Sequence, residues 1–129
     1  MNKDIMDKWQ PLIENDSDVD LTVSRDMFDL LSDQIKIKEF GNKGVLAYII
    51  TNEFNQERSF SELFLYVMKE HRGSFKLLNK IKSFIETEAR ATNCDVIKIG
   101  ANFGFNDDGF KRVLERWGFV PDTYRKEIL

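Results

Sequence analysis

Residues 62–74 read Glu62-Leu63-Phe64-Leu65-Tyr66-Val67-Met68-Lys69-Glu70-His71-Arg72-Gly73-Ser74, an apolar strand that runs into a polar Arg-Gly turn. Behind the turn, Leu77, Leu78, Ile81, Phe84, Ile85 and Ala89 recur at the helical period, with lysines and glutamates between them. The stripe predicts an amphipathic helix of about four turns that ends near Asn93. A helix that starts straight after a turn presents unbonded backbone N–H groups and the positive end of its dipole, which suits a phosphate or pyrophosphate. Cationic side chains nearby add Coulomb attraction, and Arg72, Lys76 and Lys80 stand at the spacing for it.

On the N-terminal side, Ile35 to Phe40 alternate apolar and polar residues, Gly41-Asn42-Lys43-Gly44 forms a turn signal, and Val45 to Ile50 is a nearly continuous apolar run. This predicts two antiparallel strands in a hairpin, followed by a polar connection from Asn52 to Ser59. Ser24 is an N-cap signal for a short helix with Met27, Leu30, Leu31 and Ile35 inward. Ile5, Met6, Trp9, Leu12 and Ile13 have helical spacing, and Pro11 is expected to kink or restart that helix. Beyond the central helix, Val96, Ile97 and Ile99 predict a short strand. Asn106 or Asp107 then caps a helix with Phe110, Val113, Leu114 and Trp117 inward, which Gly118 stops. A weakly alternating tail, Thr123 to Ile128, reads as a last strand. The expected fold class is α/β (α+β): a mixed, partly antiparallel central sheet flanked by helices on both faces.

The chain has 129 residues, 42% of them hydrophobic and 32% charged, and a formal net charge of -3. Length and composition lead us to expect one domain over residues 1–129 with a sizeable core. The negative charge argues against general nucleic-acid binding. No apolar run approaches the length of a membrane span and the first residues lack the core of a signal peptide, so a cytoplasmic location away from membranes is the expectation. The single cysteine, Cys94, is expected to be a small buried packing residue. His71 has no second histidine or cysteine beside it, so no metal site is expected. Glu14, Asp16, Asp18 and Asp20 lack the glycine and terminal glutamate of a calcium loop and read as a solvated acidic loop, with attraction of a cationic amine as the second reading. Trp9, Trp117 and the 11 phenylalanines read as core. Their excess leaves an apolar groove or a subunit interface open, and with it a homodimer.

The stretch from Leu65 to Ser74, the long helix, the short strand after it and the closing Val113-Leu114-Glu115-Arg116-Trp117-Gly118-Phe119 resemble the GCN5-related N-acetyltransferases. The similarity covers roughly residues 27 to 129 and is clearest over 62 to 119, in a short, glycine-poor form of a kind that phages also encode. The resemblance implies an acyl-CoA N-acyltransferase-like fold, acetyl-CoA as cofactor with CoA as product, and an amine acceptor that is a small molecule or a protein. It implies that Arg72, Gly73, Ser74, Phe75, Lys76 and Leu77 cradle the pyrophosphate and that Asn106 belongs to the cofactor site. The pantetheine arm, which carries amides, would pair with the main chain of Val67 and Met68 if the strand at Val96 splays away. Phe75 and Leu77 occupy the turn positions where the family carries glycine or alanine, and Leu114 occupies the position of its frequent tyrosine acid.

Acetyl transfer to an amine by direct attack needs a group that removes a proton. By the two-residue strand period, Glu62 would face the same side as Phe64, Tyr66 and Met68 and reach the cleft as the base. Tyr124, on the last strand, is the candidate donor to the departing thiolate. Two functional readings follow. The first is an acetyl-CoA-dependent N-acetyltransferase. The second is a non-catalytic, degenerate protein on the same fold that binds a macromolecular partner, to which Phe75, Leu77 and Leu114 point.

Overall fold

The structure, a computed structural model, describes residues 2–17, 24–100, 107–122, 126 and 128. Two helices open the chain, α1 (Asn2–Glu14) and α2 (Arg25–Leu30). Strands β1 (Lys36–Glu39), β2 (Gly44–Asn52) and β3 (Arg58–Val67) follow, then a 3-10 turn (Lys69–His71), α3 (Phe75–Ala91), β4 (Val96–Lys98) and α4 (Asp107–Arg116). The strands form one sheet in the order β1-β2-β3-β4, with both hairpins antiparallel and β3 parallel to β4. The mixed sheet expected from the sequence is therefore present. The last predicted strand, residues 123–128, lies outside the described residues.

Pairing assigns the faces, because residues opposite each other in an antiparallel ladder point the same way. Val45, Ala47, Phe64 and Tyr66 share one face, and α1 covers it: Trp9 meets the Tyr66 ring edge-on with centroids 6.2 Å apart. Leu46, Tyr48 and Phe60 share the other, and α3 covers that: Phe84 lies 5.8 Å from Tyr48, which stacks on Phe60 at 4.4 Å. Tyr48 also donates a short hydrogen bond to Glu88 of α3. Helices thus flank both faces, and Met6, Trp9, Ile13, Leu46, Phe60 and Ile81 are sealed from solvent between them.

Four local expectations change. Helix α1 continues through Pro11, with the Asn15 N–H bonded to the Pro11 carbonyl. The buried stripe Met6, Trp9 and Ile13 anchors the helix on both sides of the proline, and packing outweighs the lost hydrogen bond. Ser24 does cap α2, accepting from the Met27 N–H, yet Met27 and Leu30 point to solvent and Phe28 is the buried residue. A helix of 6 residues is too short for its apolar stripe to fix its rotation. Cys94 is half-buried, with its sulfur 3.3 Å from the Thr92 hydroxyl. Asp16 is not solvated but is held in the interior by two partners described below. Gly118, as expected, ends α4 at positive φ, with the Phe119 N–H bonded to the Leu114 carbonyl. Among the described residues, no helix is long and apolar enough to cross a membrane.

Candidate active site

The strand β3 carries one residue more than its partner. Ala47 pairs with Phe64 and Tyr48 with Glu62, which leaves Leu63 as a bulge. A bulge inserts a residue, bends its strand and reverses the alternation beyond it. Glu62 therefore shares the face of Tyr48, opposite Phe64 and Tyr66, which corrects the two-residue extrapolation. The same point ends the pairing with β4: the ladder runs from Ser59 with Val96 to Ser61 with Lys98, and from Glu62 to Val67 the outer edge of β3 has no strand beside it among the described residues. A strand-like ligand would depend on that unpaired stretch, which begins where β4 ends at Lys98.

Glu62 sits at the fork. Its Oε1 accepts from the Gly100 N–H at 3.3 Å, while its Oε2 is sealed from solvent without a partner among the described residues. Removal from water raises its pKa to about 8, against a smaller lowering by the Gly100 N–H.

The main-chain groups of the open edge follow from one hydrogen bond. The Met68 N–H donates to the Lys43 carbonyl at 2.8 Å, so residue 68 turns its hydrogen-bonding groups toward β2. Alternation then directs those of Val67 and Leu65 outward. The Met68 carbonyl accepts from the His71 N–H, so Met68 offers no free main-chain group to a ligand, which corrects its expected role. Leu65 instead turns its main chain outward, a consequence of the bond alternation that side-chain patterning does not carry. Close approach of the strands here also explains Gly44, where a Cβ would stand 2.8 Å from the Tyr66 carbonyl oxygen.

Beyond Val67 the chain tightens into the turn. Arg72 is not aimed at an open anion site. Its Nε donates to the Val67 carbonyl at 3.0 Å, its Nη2 pairs with Asp16, and its guanidinium lies over the Tyr66 ring. Tyr66 donates its hydroxyl to the same Asp16 oxygen at 2.7 Å, and burial followed by this bond pushes its phenol up to about 12. Asp16 thus ties the end of α1 to the turn. The sequence held no signal for it beyond an acidic loop, since its partners lie 50 and 56 residues away.

Ser74 caps α3 by accepting from the Leu77 N–H at 3.2 Å, and its own N–H donates to the His71 carbonyl. Leu77 is a core residue, so neither its side chain nor its amide serves a ligand. The N–H groups of Gly73, Phe75 and Lys76 carry no hydrogen bond among the described residues, and these three are the donors the helix start offers. Phe75 is 73% exposed beside them. Gly73 has φ +88°, with open space where a Cβ would lie, so glycine serves the backbone conformation there. Gly73→Ala is expected to cost about 1–2 kcal/mol in chemical denaturation, and a change under about 0.5 kcal/mol would mean that the turn relaxes freely. Leu114 is buried on α4 and donates no proton. Asn106 and Tyr124 lie outside the described residues.

No protein-family model and no curated protein sequence matches the chain. Solved structures do. A ribosomal-protein-alanine N-acetyltransferase from Brucella melitensis biovar Abortus 2308 superimposes with a TM-score of 0.68 at 16% identity, over 95% of this chain and 90% of that one. AAC(6')-Iy, solved with the bisubstrate analogue CoA-S-monomethyl-acetylneamine, gives a TM-score of 0.55 at 13% identity, over 81% and 78%. An aminoglycoside acetyltransferase from an uncultured soil metagenomic sample gives 0.58 at 20% identity, and its match covers 75% of this chain and 66% of that one. The fold of this chain is that of the GCN5-related N-acetyltransferases.

Proposed function

We propose that the chain is an acetyl-CoA-dependent N-acetyltransferase that acts on an amine by direct attack. The observation that carries the reading is the Glu62 carboxyl, buried and partnerless on one oxygen at the fork where β3 leaves β4. From that fork, the open edge of Leu65 and Val67 leads toward the free N–H groups of Gly73, Phe75 and Lys76. Acetyl-CoA supplies an activated acyl group when bound. The chain's own groups would do the rest. The amides at the start of α3 hold the diphosphate, the outward main chain of β3 holds the amide-bearing arm, and Glu62 takes the proton from the attacking amine. Arg72 supports the site by fixing the turn, so the phosphate contacts come from the main chain. Leu114 is apolar, so the proton to the departing thiolate would come from Tyr124, which lies outside the described residues.

Calorimetric titration with acetyl-CoA tests the reading. Saturable heat is expected below about 1 mM cofactor, and its absence at that concentration would remove the enzyme reading. An assay over amines and peptides with acetyl-CoA then identifies the acceptor. The exposed Phe75, in a position where the family carries a small residue, favours the second reading: a protein of this fold that binds a macromolecular partner without catalysis. The two part at the titration.

A further inference from the structure

Between the β1–β2 hairpin and the first three turns of α3 lies a groove of about 700 Å³, at the sheet edge opposite β4. Lys38 and Lys43 line it from the hairpin, Lys76 and Lys80 from the helix, and Phe40 and Phe84 contribute apolar wall. All four lysines are exposed, and none is in an ion pair among the described residues. The groove's one acid, Glu39, is committed elsewhere. It accepts from the Trp9 indole at 2.7 Å and pairs with Lys8, and its strand position opposite Val45 puts its side chain on the α1 face. Lys76 and Lys80 are one helical turn apart, a spacing at which like charges repel. Four lysines without an ion pair among the described residues border a partly apolar hollow, Lys38 with its Nζ 5.4 Å from the Phe84 ring centroid, and in a chain of net charge -3 they form a local positive field that an anion relieves.

We propose that this groove is a binding site for a small phosphorylated molecule carrying a ring or other apolar portion. The volume falls within the range of small-ligand sites, and lysines at its rim supply charge without fixing one phosphate geometry. The inference goes beyond acetyl transfer and does not depend on it. The occupant is a phosphorylated small molecule separate from CoA, and the 3′-phosphorylated nucleotide end of CoA is the competing source that the test excludes.

The test uses adenosine 3′,5′-bisphosphate and inorganic pyrophosphate as probes, with backbone amide spectra of the full chain as readout. Saturable shifts are expected at Gly41, Asn42 and Lys43. The affinity should weaken at least tenfold in K38E/K43E, to a lesser degree in K38Q/K43Q, and in wild type on raising salt from about 50 to about 500 mM. Melting curves matching the wild type show that the variants remain folded. If CoA displaces the bisphosphate and dephospho-CoA does not, the groove belongs to the cofactor site and the proposal is overturned. If acetyl-CoA and the bisphosphate bind together, the occupant is a separate ligand. Absence of saturable shifts in the hairpin, or equal binding by folded K38E/K43E, overturns the proposal. Failure of acetyl-CoA to bind at all would remove the acetyltransferase reading and leave the groove's result standing.

Discussion

Glu62→Gln is expected to lower kcat by about 10²–10⁴ while leaving acetyl-CoA affinity near that of the wild type. Glutamine keeps the shape and can still accept from the Gly100 N–H, so what it loses is the capacity to take a proton. In the wild type, kcat/KM should rise with pH to a plateau above about 8, as the carboxyl ionises. Stability should move the opposite way. The folded carboxyl keeps its proton up to about pH 8, whereas an ordinary glutamate releases it near 4.5. Between these values the folded state binds more protons than the unfolded chain, so stability falls as pH rises through that window, by a few kcal/mol in order of magnitude. Glu62→Gln should flatten this slope. Unchanged kcat in the variant would take the base assignment away from Glu62, and an unchanged slope would mean that the carboxyl is hydrated.

The second large effect lies in the turn. Arg72→Ala should destabilise the fold by about 3 kcal/mol, because the Arg72 and Asp16 side chains are only 16% and 9% exposed and truncation leaves a carboxylate almost without water. Arg72→Lys should not restore the loss. A single ammonium lacks the fork that reaches the Val67 carbonyl and the Asp16 carboxylate together. Denaturant unfolding of Arg72→Ala, Asp16→Asn and the double variant measures the coupling, expected at about 1–3 kcal/mol. A single-variant cost under about 1 kcal/mol would show that the pair behaves as a surface ion pair.

The elements that the sequence revealed are those whose signal is local. The β1–β2 hairpin is legible because Ile35 to Phe40 alternate and a Gly-Asn-Lys-Gly turn follows. Helix α3 is legible because its stripe persists over 17 residues. The candidate site was less legible, because its features depend on what lies across the sheet. The sequence marks Glu62 as a candidate base but puts it on the wrong face, since a bulge is defined by the partner strand and leaves no mark in the alternation of Leu63, Phe64 and Leu65. Met68 leaves the open edge for a related reason: which edge a backbone amide faces is set by pairing with Lys43. Asp16 read as one acid among several, and only the return of β3 and its turn past the end of α1 makes it a hub. Phe75 and Leu77, both placed in the cradle by alignment to a glycine-bearing motif, separate on the two sides of the α3 N-terminus, one in solvent and one in the core.

The two devices that shape the open edge of β3 also limit it. An unpaired strand edge is a template on which another chain can add itself, and long flat edges lead to aggregation. Here the exposed stretch is bounded at one end by the bulge at Leu63 and at the other by Arg72, which occupies the Val67 carbonyl. Among the described residues, about two residues of free main chain remain, enough for a short extended guest and too little to start a sheet with a neighbour. The sheet thus carries, among the described residues, an open edge too short to become a seam along which molecules join.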